Sequence, residues 1–578
     1  MQRYLLPCLA LTVTLAACQR HAPDAATAVT PPPASATTTP PAAGHAFNPA
    51  INADDFVEHV KVLSSDAFEG RGPGTPGEDK SVEYIKAQMQ RIGLKPGNHG
   101  EWFQTVPMVE TTADPNTTLT LTVDGKPRTL KMGTDMVVGT TSGKAAISIK
   151  DSPLVFVGYG VDAPEQHWND YAGLDVKGKT VVMLVNDPGF HVDDPTLFEG
   201  KRMTYYGRWT YKFEEAARQG ASAALIIHDT PGASYGWDVV KNSWSGAQYA
   251  LPAASDPEPR LPAEGWLTAD QAKSLFTASG LDLDALRSAA SKRGFKPVPI
   301  KATLSLDLKS TIVDKQSRNV IGRLDGSTHP DEAVVYMAHW DHLGKHPDEP
   351  GDNIYNGAVD NASGVSGILE IADAFAHQSP PPQRSLLFVA VTLEESGLLG
   401  SKYYVAHPVV PLDKTVGVVN LDALGVDGRT RDLTVVGMGS SQLEDMLKTV
   451  AGKQGLSLHA EAHPEAGGYF RSDHFNFAKA GVPAIDIGSG DDLLQGGKTA
   501  GEAAGKDYNE HRYHKPGDQY DAATWHVEGV IDLLNAAYGM GRDLTSGTQW
   551  PAWYPNNPFK AARDKMLAAT KTAAAPAH

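Results

Sequence analysis

The feature that most constrains the fold is the alternation of short apolar runs with helical segments from about residue 306 onward. Apolar runs bounded by turn residues are typical of strands buried on both faces of a sheet. Strands that alternate with helices predict an α/β domain with a mixed central sheet flanked by helices. The strands are expected at Ala333–Ala338, Ser385–Thr392, Val416–Leu421, Leu433–Val436 and Ala484–Ile487, and the helices at Gly364–His377, Ser441–Gln454, His474–Ala480 and Val527–Leu544.

The length of 578 residues predicts more than one domain, because a single hydrophobic core rarely organises so long a chain. Hydrophobic residues make up 41% and charged residues 21%, a balance that argues against wholesale disorder. A block of short β-runs and turns interrupts the chain from about residue 150. The predicted divisions are a signal peptide at 1–17, a tether at 18–47, the α/β domain in two parts at 48–148 and 306–546, an inserted domain at 149–305, and a C-terminal tail at 547–578.

The N-terminus has the pattern of an export signal. Leu5–Ala17 is mostly apolar and follows Arg3, but it is shorter than the roughly 20 residues that a membrane span needs. The run ends Leu-Ala-Ala before Cys18, which resembles a bacterial lipobox, and an Ala/Thr/Pro-rich spacer follows. We therefore expect a cell-envelope protein that is lipid-anchored through Cys18, in the outer membrane facing the periplasm, or exported. An ordinary secretory signal with an incidental cysteine is the alternative.

Charge and cysteine content exclude several kinds of site. The net charge is −17, and a nucleic-acid binder normally has a basic face, so nucleic acid is not an expected partner. The two cysteines, Cys8 and Cys18, both lie in the first 20 residues, which excludes a disulfide framework and a Cys-ligated metal in the body. A metal bound by the body must therefore use His, Asp and Glu.

Polar side chains follow three of the predicted strands at the point where each strand ends. AVVYMA leads into His339 and Asp341, SLLFVAVT leads into Glu394 and Glu395, and VGVVNL leads into Asp422. Ligands bind beyond the carboxyl ends of strands in open α/β sheets, and carboxylates gathered there repel one another unless a cation binds them. Oxygen and nitrogen donors without thiolate suit zinc, manganese or cobalt. Taken singly, each residue is as well explained by loop hydrogen bonding, so the prediction of a metal site rests on the set.

These segments resemble the M28 family of co-catalytic zinc aminopeptidases, in the motifs AHWDHLG, GAVDNASG, TLEESGLLGS, NLDALG and YHKPGD. The resemblance covers the whole body and implies the fold of zinc-dependent exopeptidases, which is similar to that of phosphorylases and hydrolases. It also implies two zinc ions per chain. His339 and Asp422 would hold one zinc, Glu395 and His514 would hold the other, and Asp360 would bridge both.

The same resemblance implies roles for three neighbouring residues. Glu394 would act as the general base, Tyr513 would donate to the tetrahedral oxyanion, and Asp341 would orient the imidazole of His339. The Gly-rich segment 488–509 is interpreted as a mobile lid. Four further histidines are interpreted as bystanders, namely His342, His346, His463 and His511.

The interrupting block, FVGYGVDAPEQHWNDYAGLDVKGKTVVMLVNDPG, resembles a protease-associated domain inserted into a peptidase. The whole is thus expected to be a metallo-exopeptidase that removes N-terminal residues from peptides. A carboxypeptidase or a single-zinc glutaminyl cyclase on the same scaffold stays open, and so does a non-catalytic binding protein. Arg471 and Arg512 are the side chains that would clamp a substrate carboxylate in a carboxypeptidase. The oligomeric state does not follow from the sequence.

Overall fold

The structure is a computed structural model that describes residues 45–192, 194–256 and 258–574. The predicted signal peptide, Cys18 and most of the predicted tether lie outside these residues. Within the described ranges, no helix has the length and apolar character that crossing a bilayer requires.

The described chain is rich in both helices and strands. The helices are α1 Ala53–Leu63, α2 Pro76–Ile92, α3 Trp209–Arg218, α4 Thr230–Ala233, α5 Trp237–Ser243, α6 Ala269–Ala278, α7 Leu283–Ala290, α8 Gly364–His377, α9 Leu399–Ala406, α10 Leu443–Lys453, α11 His474–Lys479, α12 Gly497–His511, α13 Glu528–Ser546 and α14 Lys560–Ala574. The strands are β1 Lys95–Pro96, β2 Phe103–Ala113, β3 Thr118–Val123, β4 Lys126–Lys131, β5 Met136–Gly139, β6 Ala146–Phe156, β7 Asp162–Ala163, β8 Trp168–Asn169, β9 Thr180–Leu184, β10 Ala223–Ile227, β11 Ala247–Ala250, β12 Ala263–Leu267, β13 Val298–Leu324, β14 His329–His339, β15 Gly344–Lys345, β16 Ile354–Tyr355, β17 Arg384–Val391, β18 Thr415–Asn420, β19 Asp432–Val436, β20 Ser457–Ala460 and β21 Ala484–Ser489.

The C-terminal part of the chain forms a mixed sheet in the order β13-β17-β14-β18-β21-β19-β20. The four strands β17, β14, β18 and β21 are parallel to one another, whereas β13 and β19 run antiparallel to β17 and β21. The predicted strands and helices of this region all appear within a few residues of their expected ends. The structure therefore confirms the predicted fold class, a mixed central sheet flanked by helices.

Helices cover both faces of this sheet because successive side chains of each strand point to opposite faces. In β14, Val334 and Tyr336 belong to the core that includes residues of α8 and α13. Their neighbours Val335 and Met337 belong to a second core with Tyr404 of α9 and residues of α11. Burial on both faces explains why the parallel strands are apolar throughout instead of alternating with polar residues.

A second sheet precedes this one in the chain and has the order β5-β12-β10-β9-β6-β13-β3-β4. It has its own hydrophobic cores. The 27-residue strand β13 belongs to both sheets, because its first half pairs with β3 and β6 and its second half pairs with β2 and β17. The predicted division at residues 305 and 306 falls inside β13. The assignment of this block to the protease-associated type stays a prediction.

Two segments that were predicted to be irregular are helical. Much of the Gly-rich segment 488–509, predicted as a mobile lid, is helix α12, although none of its residues is buried. Within the predicted tail, α14 follows the buried Trp553 and Phe559, and the Arg563 side chain donates to the carbonyls of Leu412 and Thr415. Alanine, lysine and glutamate in these segments have high helix propensity, which outweighs the scattered glycines of α12.

Candidate metal centre

Three neighbouring strands bring the predicted site residues to one edge of the sheet. β17, β14 and β18 are parallel and adjacent, so their carboxyl ends lie side by side. His339 is the last residue of β14, Glu394 and Glu395 closely follow β17, and Asp422 closely follows β18. Asp360 lies in the irregular turn that leads into α8.

Asp360 is the centre of the arrangement, because each of its carboxylate oxygens faces a different imidazole. Its Oδ1 lies 3.2 Å from Nε2 of His339, and its Oδ2 lies 3.3 Å from Nε2 of His514. Asp422 Oδ1 lies 3.1 Å from Nε2 of His339, and Glu395 Oε2 lies 3.1 Å from Nε2 of His514. The structure thus brings together all five side chains predicted as metal ligands, in two groups that share one carboxylate.

Glu394 differs from these five in its distance from the imidazoles. Its Oε2 is 4.0 Å from Nε2 of His339, and its side chain is 11% exposed. Burial raises the pKa of Glu394 well above its ordinary value; the charge of His339 acts against this, and the carboxylates of Glu395 and Asp422 add to it. A carboxylate beside the centre that readily holds a proton is suited to general acid–base chemistry.

Three non-glycine residues with left-handed backbone adjoin this cluster. Leu393 has φ 57°, Ala423 has φ 50° and His514 itself has φ 55°. Such conformations cost about 1–3 kcal/mol at functional sites and persist only where the surrounding structure fixes them. Here they occur immediately before Glu394, immediately after Asp422 and at His514, so the backbone at each position is bent in a way that determines where the site side chain points.

The cluster requires positive charge. Burial alone would lower the pKa of His514, but its hydrogen bonds with Asp360 and Glu395 outweigh burial and raise that pKa to about 10. For Asp360, burial acts to raise the pKa, yet the bonds with His339 and His514 hold it well below its usual range. The arrangement of these carboxylates therefore favours cations, which can be protons on the imidazoles or metal ions among the same donor atoms.

Asp341 contacts the imidazole of His339, as predicted, and it does so through its main chain. Nδ1 of His339 donates to the main-chain oxygen of Asp341 at 3.0 Å, and the carboxylate Oδ1 is 3.8 Å away. That Oδ1 instead accepts the main-chain N–H of Glu394 at 3.2 Å. Asp341 therefore connects the loop after β14 to the loop after β17, and this contact positions Glu394.

Two residues that the sequence analysis did not single out hold the turn of Asp360. The buried Arg71 guanidinium donates to the main-chain oxygens of Asn356 at 2.5 Å, Gly357 at 2.8 Å and Asp360 at 3.4 Å. Asp518 accepts the main-chain N–H of Asp360 at 3.0 Å and that of Val359 at 3.0 Å. The only available signal was the position of Asp518 four residues after His514 in YHKPGD.

His342 also contacts the site, although the sequence analysis interpreted it as a bystander. Its side chain is buried, its Nδ1 lies 2.7 Å from Oε1 of Glu395, and its ring meets that of His514 edge-on at 5.8 Å. His342 therefore holds the Glu395 carboxylate through Oε1, the oxygen that does not face His514. By contrast, His346, His463 and His511 have side chains that are 44%, 80% and 67% exposed, and they lie outside the cluster.

The remaining predicted residue, Tyr513, packs flat against His514 with ring centroids 3.9 Å apart and an interplanar angle of 28°. The stacking shows how Tyr513 supports His514; donation to an oxyanion stays a prediction.

Ser472 makes a further contact that the sequence analysis missed. Its hydroxyl donates to Oδ2 of Asp422 at 2.6 Å and accepts from Asn420 at 2.8 Å.

Comparison with known proteins gives matches in the part of the chain that contains the site. Peptidase family M28 matches residues 319–538. Leupeptin-inactivating enzyme 1 from Streptomyces exfoliatus is 34% identical over 155 residues, which cover 26% of this chain and 33% of that protein. Aminopeptidase YwaD from Bacillus subtilis (strain 168) is 32% identical over 198 residues, covering 33% of this chain and 39% of that protein. The matched part is thus a third to two fifths of these relatives' length.

Among solved structures, an aminopeptidase from Aneurinibacillus sp. strain AM-1 aligns with a TM-score of 0.48 and 19% sequence identity. The alignment covers 86% of this chain and 95% of that one.

The contact of His342 with Glu395 gives a prediction about metal binding. We expect His342→Gln to weaken Zn²⁺ binding by about 10–100-fold, because partners that orient a metal-ligating carboxylate contribute on that scale. His346→Gln, on the exposed side of the same loop, is the matched control and should bind zinc like the wild type. Competition with a chromophoric chelator measures both affinities. Equal zinc affinity in the two variants would show that His342 does not position Glu395.

Proposed function

Because residues 319–538 belong to peptidase family M28, we propose that this chain is a zinc-dependent aminopeptidase that hydrolyses N-terminal residues from peptides. The observation that supports this most directly is the position of Asp360, whose two oxygens face the imidazoles of His339 and His514 at 3.2 and 3.3 Å. A carboxylate in that position is suited to bridging two metal ions, each of which has further donors of its own.

The donor set fits zinc. Each group offers imidazole nitrogen and carboxylate oxygen without thiolate, which is a common ligand set of hydrolytic zinc sites. His339 and Asp422 would hold one ion, Glu395 and His514 the other, and Asp360 would bridge the two. When bound, the ions would supply Lewis-acid activation of water and of the scissile carbonyl.

The chain's own residues account for proton transfer. Glu394 is adjacent in sequence to the proposed ligand Glu395, and its Oε2 lies 4.0 Å from Nε2 of His339, farther than the proposed ligand oxygens lie from the imidazoles they face. Its main-chain N–H is fixed by the carboxylate of Asp341, which holds the start of this side chain in place. Glu394 can therefore accept a proton from the attacking water and return it to the leaving amine.

The charge of the pocket favours an aminopeptidase over a carboxypeptidase. Although burial acts to raise the pKa values of Asp360 and Glu395, their hydrogen bonds with imidazoles hold both pKa values below the ordinary range, so these two carboxylates stay charged and attract a substrate ammonium while they repel a carboxylate. Of the two arginines considered for a carboxylate clamp, Arg512 is paired with Asp507 at 3.2 Å. A peptide is thus expected to enter with its free α-amine toward the centre.

The two adjacent glutamates provide the sharpest test of the mechanism. Glu394→Gln should retain zinc and lose about 10²–10⁴-fold in kcat, which is the usual contribution of general acid–base catalysis. Glu395→Gln, the matched control one residue away, should lose zinc affinity as well as activity. Metal analysis and hydrolysis of aminoacyl-arylamides measure the two effects. Normal turnover in Glu394→Gln, or loss of zinc from it, would contradict the assignment.

The exopeptidase mode has its own test. Peptides with a free α-amine should be shortened one residue at a time from the N-terminus, whereas the same peptides acetylated at that amine should resist cleavage. Mass spectrometry of the products follows both series. Cleavage of the acetylated peptides from the C-terminus would instead favour a carboxypeptidase, and conversion of an N-terminal Gln into a pyroglutamyl residue with loss of ammonia, the peptide staying intact, would favour a cyclase.

We also propose that the enzyme is attached to the bacterial cell envelope through lipid on Cys18, with the predicted tether, residues 18–47, as spacer. The lipobox-like sequence before Cys18 and the Ala/Thr/Pro-rich segment after it support this, although the former and most of the latter lie outside the described residues. Cys18→Ser should prevent incorporation of an alkyne-labelled fatty acid and move the protein from the membrane fraction to the soluble fraction. A Cys18→Ser variant that still incorporates the label, or that stays in the membrane fraction as the wild type does, would contradict attachment through lipid on Cys18.

A further inference from the structure

A second cluster of metal-binding side chains lies where three segments of the sheet edge meet. Asp432 begins β19, His459 belongs to the neighbouring strand β20, and Asp491 follows β21. Nε2 of His459 lies 3.3 Å from Oδ2 of Asp432 and 3.5 Å from Oδ1 of Asp491. One donor atom from each residue lies within 4.8 Å of the other two. We propose that these three side chains bind one divalent transition-metal ion of the zinc class.

The orientation of His459 supports this proposal. Its Nδ1 donates to the main-chain oxygen of Ala460 at 2.7 Å, which leaves Nε2 directed at the two carboxylates. Metal-ligating histidines are typically held in this way, with one ring nitrogen fixed by a carbonyl and the other free to coordinate. The Thr434 hydroxyl oxygen also lies 3.4 Å from Nε2, but this hydroxyl donates to the main-chain oxygen of Ser489 at 2.9 Å, so its proton points away from Nε2.

The two carboxylates are placed to receive a cation. The Asp432 side chain is only 5% exposed, and its other oxygen, Oδ1, accepts the main-chain N–H of Asp492 at 3.1 Å. The Asp491 side chain is 28% exposed, but its Oδ1 is shielded from solvent; this oxygen lies 3.5 Å from Nε2 of His459 and has no hydrogen-bond partner among the residues that the structure describes. Leaving a buried carboxylate oxygen unsatisfied costs free energy, and an ion among the three side chains would remove that cost.

The donor types decide which ion is expected. One imidazole nitrogen and two carboxylate oxygens suit Zn²⁺, whereas Ca²⁺ and Mg²⁺ prefer all-oxygen sites. The site shares no residue with the candidate metal centre, and the proposal does not depend on the proposed peptidase activity.

The position of the three-residue site in the chain indicates a structural role. Asp491 begins the turn into α12, and α12 leads to His514, so an ion here would anchor the start of the segment that ends at the centre.

Equilibrium dialysis against Zn²⁺ alone tests the site. His459→Gln and Asp491→Asn should each bind one equivalent fewer than the wild type, while His511→Gln, which alters an exposed His–Asp pair on α12, should bind the wild-type number. Repeating the comparison in the Asp360→Asn background separates this site from the candidate centre. The same one-equivalent difference is expected there, whatever the centre itself retains.

A second measurement addresses the structural role. Zinc should slow hydrogen–deuterium exchange of the amides at 490–500 in Asp360→Asn, and the slowing should disappear when His459→Gln is added. If an imidazolium of His459 simply pairs with the two aspartates, both variants will bind as much zinc as their parents, and that result overturns the proposal. Binding that requires millimolar zinc, or is also lost in His511→Gln, overturns it as well.

Discussion

The concentration of buried carboxylates at one sheet edge is the constraint on which the rest of this structure depends. Asp360, Glu394, Glu395 and Asp422 converge on two imidazoles, and Asp341 is wholly buried beside them. Two unit charges 4 Å apart repel by about 4 kcal/mol at an effective dielectric constant of ~20. Such a set persists only if cations and hydrogen-bond donors compensate it. Folding of this edge and loading with cations are therefore linked processes.

Arg71 shows how the fold supplies hydrogen-bond donors to the loops of the site without pairing them with the site carboxylates. Its guanidinium is fully buried, and burial lowers its pKa to about 10, an effect that Asp518 and Asp360 oppose. It therefore keeps its charge at neutral pH. Its N–H groups bind main-chain oxygens, including those of Trp340 and Gly357, and not carboxylates. The arginine thus fixes the loops after β14 and before α8 while the carboxylates stay available to other cations.

The sequence predicted the parts of the site that depend on strand ends, because apolar runs determine where strands stop and parallel neighbours must end at the same edge. It missed contacts between residues distant in sequence, such as that of Arg71 with the turn of Asp360. His342 was misjudged for a related reason. A histidine three residues after His339 is expected from sequence to be an ordinary loop residue, and only the fold brings Glu395 to within 2.7 Å of it. The length of β13 was also missed, since strand pairing with two sheets is not a local property.

His514 differs from the other proposed ligands in how the fold holds it. It is 36% exposed, it does not follow a strand of the central sheet, and the helix before it has no buried residue. Segments with few buried contacts open at low free-energy cost, so this side of the centre should exchange with solvent more readily than the side formed by His339 and Asp422. Attachment at both ends limits that opening. At one end Asp518, four residues after His514, accepts the main-chain N–H groups of Val359 and Asp360, and at the other end the turn at Asp491 contacts β19 and β20. The rigidity of the sheet edge therefore reaches His514 through its neighbours along the chain, and the geometry of the centre depends on both attachments.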